Sequence, residues 1–323
     1  MSFVDIGYFL MVMKQYNNIN HIFKGVLKLK RILTIQDISS VGKCSITVAL
    51  PIISSMGVET AILPTAVLST HTMFDNFTFK DLTDQIAPIT NHWKEEEIGF
   101  DSIYTGYLGT IEQIDIVANV FDAFKTENNL IIVDPAMADN GKLYPTFNET
   151  FAKKMATLCA KADIIIPNIT EASFITGMEY KETYDETYIK EMLQKLAGLG
   201  AKISILTSVS LEEGTTGVMG YDRIKDEYFS YQNEKIDANF HGTGDVFSST
   251  VVGAIANNLT WQEALPIAAD YTAKSIKLTL DDENGRWYGV NFEEGIPYLL
   301  GRLKKMPAGS EGQVPRPTPA SLS

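Results

Sequence analysis

Short apolar runs alternate with segments of helical period along most of this chain. Six runs have the length and β-branched composition of buried strands: Arg31–Gln36, Val58–Leu63, Ser102–Thr105, Leu130–Val133, Asp163–Pro167 and Ile203–Thr207. Segments of helical period follow them, for example at Ser45–Ser55, Ile111–Lys125, Phe151–Lys161 and Thr187–Leu199. Because alternating strands and helices form βαβ units, the pattern predicts an α/β fold of three layers, with helices on both faces of a central, mainly parallel sheet.

The pattern changes in the last third of the chain. Gly217–Tyr221 and Glu227–Tyr231 alternate apolar and polar residues around a polar turn, which predicts an antiparallel hairpin. Two long helical patterns follow at Thr243–Asn257 and Trp261–Leu280. We expect one domain over residues 30–306, preceded by an N-terminal extension (1–29). A disordered tail rich in Pro, Ser, Gly and Ala is expected over 307–323.

Composition and charge exclude several classes of protein. The net charge of −13 argues against a general nucleic-acid or anionic-membrane binder, since both need a positive surface. Cys44 and Cys159 lie far apart, and the four histidines show no metal-ligand spacing, so neither a disulfide framework nor a zinc site is expected. The apolar run Tyr8–Met13 is too short to span a membrane and lacks the flanks of a signal peptide. These features predict a cytoplasmic protein.

Gly242, Thr243, Gly244 and Asp245 open one of the long helical patterns. Glycines leave backbone N–H groups uncovered, and a helix N-terminus adds partial positive charge, so the segment predicts an anion hole. Asp245 falls in the first helical turn, where a carboxylate can take the proton of a hydroxyl that attacks a phosphoryl group. Alone, the same four residues would also suit a glycine-rich turn whose Asp favours the start of the helix.

Acidic and amide side chains follow two neighbouring predicted strands. Asp134 comes after Leu130–Val133, and Asn168 and Glu171 come after Asp163–Pro167. Magnesium binds through one or two carboxylates, phosphate oxygens and water, so these three side chains are candidate magnesium ligands. Taken singly, Asp134 could cap a turn, and Asn168 with Glu171 could form an ordinary helix start.

The chain resembles the pyridoxal kinase family of the ribokinase-like superfamily. Seven short segments match the family's motifs in order: Ile35–Gly42, Ser69–Thr72, Thr105–Gly109, Val133–Asp139, Pro167–Ala172, Thr207–Ser208 and Gly242–Asp245. The chief departure is Asp37, where typical members carry a serine that faces the ring nitrogen of the acceptor. Ala136 and Ala138 are milder departures from the family's Val and Gly.

The resemblance implies a role for each matching residue. Asp245 would be the catalytic base, with Gly242, Thr243 and Gly244 as the anion hole, and Thr207, Ser208 and Thr243 would contact ATP phosphate. Asp134, Asn168 and Glu171 would lie near the magnesium ion and its waters. Asp37, His71, Thr72 and Tyr107 would line the pocket for a pyridine ring, where Tyr107 can stack on the ring. ATP, Mg²⁺ and a monovalent cation are the expected cofactors, and a homodimer is the expected assembly.

The implied activity is ATP-dependent phosphorylation of the 5′-hydroxymethyl group of pyridoxal, pyridoxamine or pyridoxine. Two alternatives stay open: a hydroxymethylpyrimidine kinase of the same fold, and a non-catalytic binder of vitamin B6. Gly42 and Lys43 resemble the end of a P-loop, but the first glycine and the hydroxyl residue after the lysine are missing, so we reject that interpretation.

Overall fold

A computed structural model describes residues 29–305 of the chain. The predicted tail lies outside the described residues, as does the predicted extension apart from Leu29. Within residues 29–305, no helix is long and apolar enough to cross a membrane.

Nine strands form the main sheet: β1 (Arg31–Val41), β2 (Glu59–Thr70), β3 (Phe79–Asp81), β4 (Ser102–Thr105), β5 (Leu130–Val133), β8 (Ile164–Ile165), β9 (Ile203–Val209), β10 (Thr215–Asp222) and β11 (Glu227–Glu234). β6 (Ala138–Asp139) and β7 (Lys142–Leu143) form a separate two-stranded ribbon. The helices are α1 (Ile46–Ser55), α2 (Thr83–Glu95), α3 (Ile111–Phe124), α4 (Glu149–Cys159), α5 (Ile169–Thr176), α6 (Glu186–Gly198), α7 (Thr243–Ala256), α8 (Trp261–Asp281) and α9 (Phe292–Lys305).

The strands follow the order β11-β10-β9-β8-β5-β4-β1-β2-β3 across the sheet. The six strands from β9 to β2 run parallel, and the antiparallel strands β10, β11 and β3 form its two sides. The parallel sheet and the hairpin of β10 and β11 are therefore both confirmed. All six predicted strands are present, although β1, β2 and β9 extend beyond the predicted ends and β8 is shorter than predicted.

Two apolar clusters, one on each face of the sheet, form the core. In β1 the buried side chains alternate, with Leu33 and Ile35 in one cluster and Ile32 in the other. Helices α2 to α6 cover the first face and α1, α7, α8 and α9 cover the second, through residues such as Met155 and Leu265. A sheet buried on both faces requires apolar residues at successive positions, and this explains the continuous apolar runs of the parallel strands. The predicted three-layer α/β/α architecture is confirmed.

Several elements have no counterpart among the predicted ones. Helices α2 and α9 are two of them, and each contains an internal proline, Pro88 and Pro297, as do the predicted helices α1 and α8. Strand β3 and the ribbon of β6 and β7 have only two or three residues each, too few to show a period.

Candidate active site

A cavity of about 630 Å³ lies at the carboxyl ends of the parallel strands. All thirteen residues singled out from the sequence line it: Asp37, His71, Thr72, Tyr107, Asp134, Asn168, Glu171, Thr207, Ser208, Gly242, Thr243, Gly244 and Asp245. Loops that leave the carboxyl ends of parallel strands converge at one edge of a sheet, so residues more than two hundred positions apart meet there.

The glycine-rich segment opens α7 as predicted. Gly242 is the N-cap and has φ of 80°, a left-handed conformation that favours glycine. A Cβ atom on Gly242 would overlap the backbone carbonyl oxygen of Lys43, so the first loop of the chain packs directly against this turn. A Cβ atom on Gly244 would meet nothing within 4 Å. The uncovered turn at the helix N-terminus therefore faces the cavity as a site for an anion.

Asp245 lies in the first turn of α7. Burial, together with the nearby carboxylates of Asp134 and Asp37, raises its pKa to about 7, although the backbone N–H of Ser45 acts in the opposite direction. A carboxylate with a pKa near the working pH is suited to accept and release a proton.

Asp134 follows β5 and is held by a residue one turn further along α7. The hydroxyl of Ser248 donates to Oδ2 of Asp134 over 2.6 Å. Burial raises the pKa of Asp134, and burial together with the charge of Asp134 raises the pKa of Glu171. Among the described residues, no lysine or arginine lines the cavity. A cation would offset the cost of keeping these buried carboxylates ionised.

Asn168 and Glu171 form a capping box at the start of α5. Asn168 Oδ1 accepts from the Glu171 N–H over 2.9 Å, and Glu171 Oε2 accepts from the Asn168 N–H over 2.8 Å. The other oxygen of Glu171 accepts from the Met137 N–H over 3.0 Å. The helix-start interpretation of these two residues is therefore correct, and any contact with a metal ion would use their remaining lone pairs or bridging water.

These residues fit a magnesium site of the loosely held kind. Within the described part of the chain, no three His, Cys, Asp or Glu side chains are already arranged around a metal position. Magnesium does not require such a cage, because it keeps several waters and takes one or two carboxylates plus phosphate oxygens. Asp134 is best placed to be its direct ligand, because Oδ1 of Asp134 has no bond to the protein among those described.

Thr207 and Ser208 lie at the end of β9, beside the start of α5. The Thr207 N–H donates to the Pro167 carbonyl over 3.0 Å, and Asn168 forms a bridge with Thr207. Ser208 is exposed and has φ of 59°. The pair borders the cavity next to Asn168, on the side where the sequence predicts a contact with ATP phosphate.

Asp37 is buried in β1, and both of its oxygens accept hydroxyl hydrogen bonds. Ser45 donates to Oδ1 over 2.6 Å, and Ser39 donates to Oδ2 over 2.9 Å. Burial raises the pKa of Asp37, and the two serine hydroxyls oppose that shift. Each carboxylate oxygen can accept a second bond, so Asp37 retains capacity for a ligand.

His71 is buried at the end of β2, and both of its ring nitrogens bond to backbone groups. Nδ1 accepts from the Met73 N–H over 3.2 Å, so Nε2 carries the proton and donates to the Tyr288 carbonyl over 3.1 Å. Burial lowers the pKa of His71. This histidine thus connects two loops, and because both ring nitrogens are occupied, only its ring face is left to contact a ligand in the cavity. Thr72 beside it is exposed at the cavity.

Several aromatic side chains line the cavity. Tyr107 lies 5.5 Å from Phe147 between ring centroids. Trp287 also lines the cavity, is 59% exposed, and lies 4.5 Å from Phe74 and 5.9 Å from His71. His71 lies 4.4 Å from His241, the residue before the anion hole.

Sequence reasoning missed Ser45, Ser248 and Trp287. Ser248 could have been found, because it lies three residues after Asp245 and therefore on the same helical face. Nothing in the sequence places Trp287 near the strand ends, because it lies in the loop after the long helix α8 and follows no strand.

Lys43 points away from the cavity. Its Nζ donates to the Val290 carbonyl over 3.1 Å, to Asn291 Oδ1 over 3.2 Å and to Glu293 Oε2 over 2.8 Å. The lysine therefore fastens the first loop to the segment before α9, in keeping with the rejection of a P-loop.

Comparison with known proteins agrees with this fold. The sequence model of the phosphomethylpyrimidine kinase family matches residues 50–289. A crystal structure from Bacteroides thetaiotaomicron, described as a phosphomethylpyrimidine kinase with pyridoxal, has a TM-score of 0.80 and 38% identity, covering 84% of this chain and 96% of that one. Pyridoxal kinase from Lactobacillus plantarum has a TM-score of 0.77 and 26% identity, covering 85% and 98% of the two chains. Pyridoxine kinase of Bacillus subtilis is 28% identical over 203 residues, which are 60% of this chain and 68% of that protein.

The fold and the strand-end cavity define a small-molecule kinase of the ribokinase-like superfamily. Within that class, the chain belongs to the phosphomethylpyrimidine kinase family.

Proposed function

We propose that this protein transfers the γ-phosphate of ATP to the 5′-hydroxymethyl group of a vitamin B6 ring: pyridoxal, pyridoxamine or pyridoxine. One observation carries the proposal. A half-buried carboxylate, Asp245, lies at a glycine-lined helix N-terminus, in the same cavity as Asp37 and the ring of Tyr107. The bound pyridoxal of the Bacteroides thetaiotaomicron structure and the names of the other two relatives point to the same acceptor.

The proposed step is an in-line transfer. Asp245 takes the proton of the acceptor hydroxymethyl group. At the same time the hydroxymethyl oxygen forms the new bond to the γ-phosphorus, and the bond between that phosphorus and ADP breaks. The backbone N–H groups of residues 242–244 stabilise the negative charge on the phosphoryl oxygens. Thr207, Ser208 and Thr243 hold the phosphate chain. Asp134 would hold Mg²⁺ with Asn168 and Glu171 through water, and the ion would supply charge neutralisation on the phosphates.

On the acceptor side, Asp37 is proposed to pair with the protonated ring nitrogen. A carboxylate beside a pyridine favours the pyridinium form, because opposite charge stabilises the charged state. Tyr107 is proposed to stack on the ring, and Thr72 to bond a ring substituent. His71 has both nitrogens occupied and is proposed to act through its ring face and by holding the Tyr288 loop in place.

The preferred acceptor distinguishes this proposal from the alternative, a hydroxymethylpyrimidine kinase. A coupled ATP assay should be run with pyridoxal, pyridoxine, pyridoxamine and hydroxymethylpyrimidine, each beside the Asp245→Asn variant. The highest kcat/KM is expected for a B6 vitamer. A clear preference for hydroxymethylpyrimidine would contradict the proposal, and binding of vitamers without turnover would favour the non-catalytic binder.

The assembly, the monovalent cation and the compartment also stay proposals. A homodimer is supported by the exposed apolar side chains Val41, Val67 and Phe79 near the β3 side of the sheet. Light scattering coupled to size exclusion gives the mass directly. A cytoplasmic location agrees with the free thiols of Cys44 and Cys159, both of which are buried.

A further inference from the structure

Ser45 has an unusual backbone conformation. It is the N-cap of α1, with φ of 52° and ψ of −133°. Positive φ is unfavourable for a residue with a Cβ atom and persists where the surroundings fix it. A serine at an N-cap normally accepts a bond from the first helical turn, but the Ser45 side chain makes no such bond.

The hydroxyl of Ser45 is used elsewhere. It donates to Oδ1 of Asp37 over 2.6 Å, and the side chain is buried. A hydroxyl bonded to a carboxylate at this distance makes a strong, charge-assisted contact. In this conformation the Ser45 hydroxyl does not cap α1 and instead bonds to Asp37, the carboxyl proposed to recognise the acceptor ring.

The backbone of Ser45 faces the other reactive carboxyl. The Ser45 N–H lowers the pKa of the Asp245 carboxyl. The close packing of Gly242 against the Lys43 carbonyl keeps this turn against the start of α7, which carries Asp245. Ser45 thus bonds Asp37 through its side chain, and its turn packs against the helix start that carries Asp245.

We propose that Ser45 is a positioning residue, whose strained turn holds Asp37 and Asp245 in fixed relation and so aligns the acceptor ring with the base. The inference rests on the proposed function for the role of Asp37. Alignment of this kind matters because small displacements of a reacting group lower the rate steeply.

The test compares Ser45→Ala, which removes only the hydroxyl, with Ser45→Gly, which also relieves the positive φ. Ser54→Ala, at the exposed far end of the same helix, is the matched control. We expect both Ser45 variants to lower kcat/KM for the acceptor about tenfold while the KM for ATP stays unchanged. The Gly variant should melt at a higher temperature than the Ala variant. The Ser54 variant should match the parent in every measurement.

A double-mutant cycle supplies the decisive comparison. In an Asp37→Asn background, Ser45→Ala should add little further loss, because its hydroxyl acts through Asp37. The proposal is overturned if Ser45→Ala causes the same loss of kcat/KM in the Asp37→Asn background as in the parent. It is also overturned if the KM for ATP rises as much as the KM for the acceptor, or if the Gly variant is less stable than the Ala variant.

Parent turnover is measured first, so that the two proposals fail separately. If the parent phosphorylates none of the B6 vitamers, the proposed function fails. The cycle is then repeated on the free energy of unfolding, where coupling between Ser45 and Asp37 is still expected and additive effects would refute it.

Discussion

At the scale of single residues, the site is dominated by carboxyl groups, and no lysine or arginine is found among the described residues that line the cavity. Asp245, Asp134 and Glu171 line one cavity, and burial raises the pKa of each. Keeping such groups ionised lowers the stability of the folded protein. For Asp245 this cost serves the proposed function, because only the ionised carboxyl can accept a proton.

Asp245→Asn should therefore remove activity and increase stability together. Turnover is expected to fall by a factor of about 100 or more, the usual contribution of a general base. The folded-state pKa of about 7 lies above the ordinary value of 3.8, so the folded protein binds the proton more tightly than the unfolded chain. Stability is then lost as pH rises from about 4 to about 7, and at pH 8 the cost is on the order of 4 kcal/mol.

Chemical denaturation of both proteins at pH 8 and pH 5 measures this. The variant should be the more stable at pH 8, with a smaller difference at pH 5, where the carboxyl of the folded parent is mostly protonated. Equal stability at both values would mean that the carboxyl carries no burial cost.

Asp37→Asn tests the acceptor side. If Asp37 pairs with a protonated ring nitrogen, the KM for the acceptor should rise about tenfold or more, as expected for the loss of a bond between charged groups. The KM for ATP should stay constant, which serves as the internal control. Acceptor KM should be measured from pH 6 to pH 9, and an unchanged value across that range would contradict the pairing.

At the scale of elements, the proposed anion hole depends on how the turn before α1 packs against the start of α7. Gly242 begins α7 with positive φ and lies against the Lys43 carbonyl, whereas Gly244 lies within the helix with open space around it. The same substitution should therefore act in opposite directions at the two glycines.

Gly242→Ala should destabilise the protein by at least about 1–2 kcal/mol, the cost of positive φ for alanine, with the overlap added to it. Gly244→Ala should leave stability unchanged or raise it, by up to about 1 kcal/mol, because alanine favours a helix. Thermal unfolding of the two variants provides the comparison. Similar destabilisation at both positions would show that packing at Gly242 is not the cause.

Lys43 connects the first loop to the segment before α9. Its substitution tests whether the lysine has this structural role or binds ATP. In Lys43→Met, the KM for ATP should stay close to the parent value, because the amine faces Val290, Asn291 and Glu293. Stability should fall, since three bonds to the amine are lost. Lys154→Met, which removes a more exposed ion pair with Asp115, is the control. A large rise in the KM for ATP would contradict the assignment.

At the scale of the whole molecule, the sequence revealed the parallel core well, because strands buried on both faces must be continuously apolar. Ile131, Ile132 and Val133 in β5 illustrate this, with every one of them buried. Helices α2 and α9 were not predicted, and their internal prolines do not account for this, because the predicted helices α1 and α8 also contain one, Pro51 and Pro266. The C-terminal halves of β1 and β2 were missed because their exposed ends carry no clear period.

The site was predictable as a set of residues but not as a set of contacts. Strand-end motifs in order sufficed to gather Asp37, Tyr107, Asp134 and Asp245 into one cavity. That both nitrogens of His71 are occupied depends on the Tyr288 loop, more than two hundred residues away. The role of Ser45 depends on a backbone conformation that residue type alone does not indicate.

The placement of Trp287 gives the protein a natural optical probe. The chain has three tryptophans, of which Trp261 is buried and Trp93 packs against the core, while Trp287 stands half open at the cavity mouth. Arrival of a ring at the cavity should change the emission of Trp287 far more than that of the other two. Titration of the parent with pyridoxal should therefore give a fluorescence signal that Trp287→Phe lacks, so that occupancy can be followed without labels and before any phosphate is transferred.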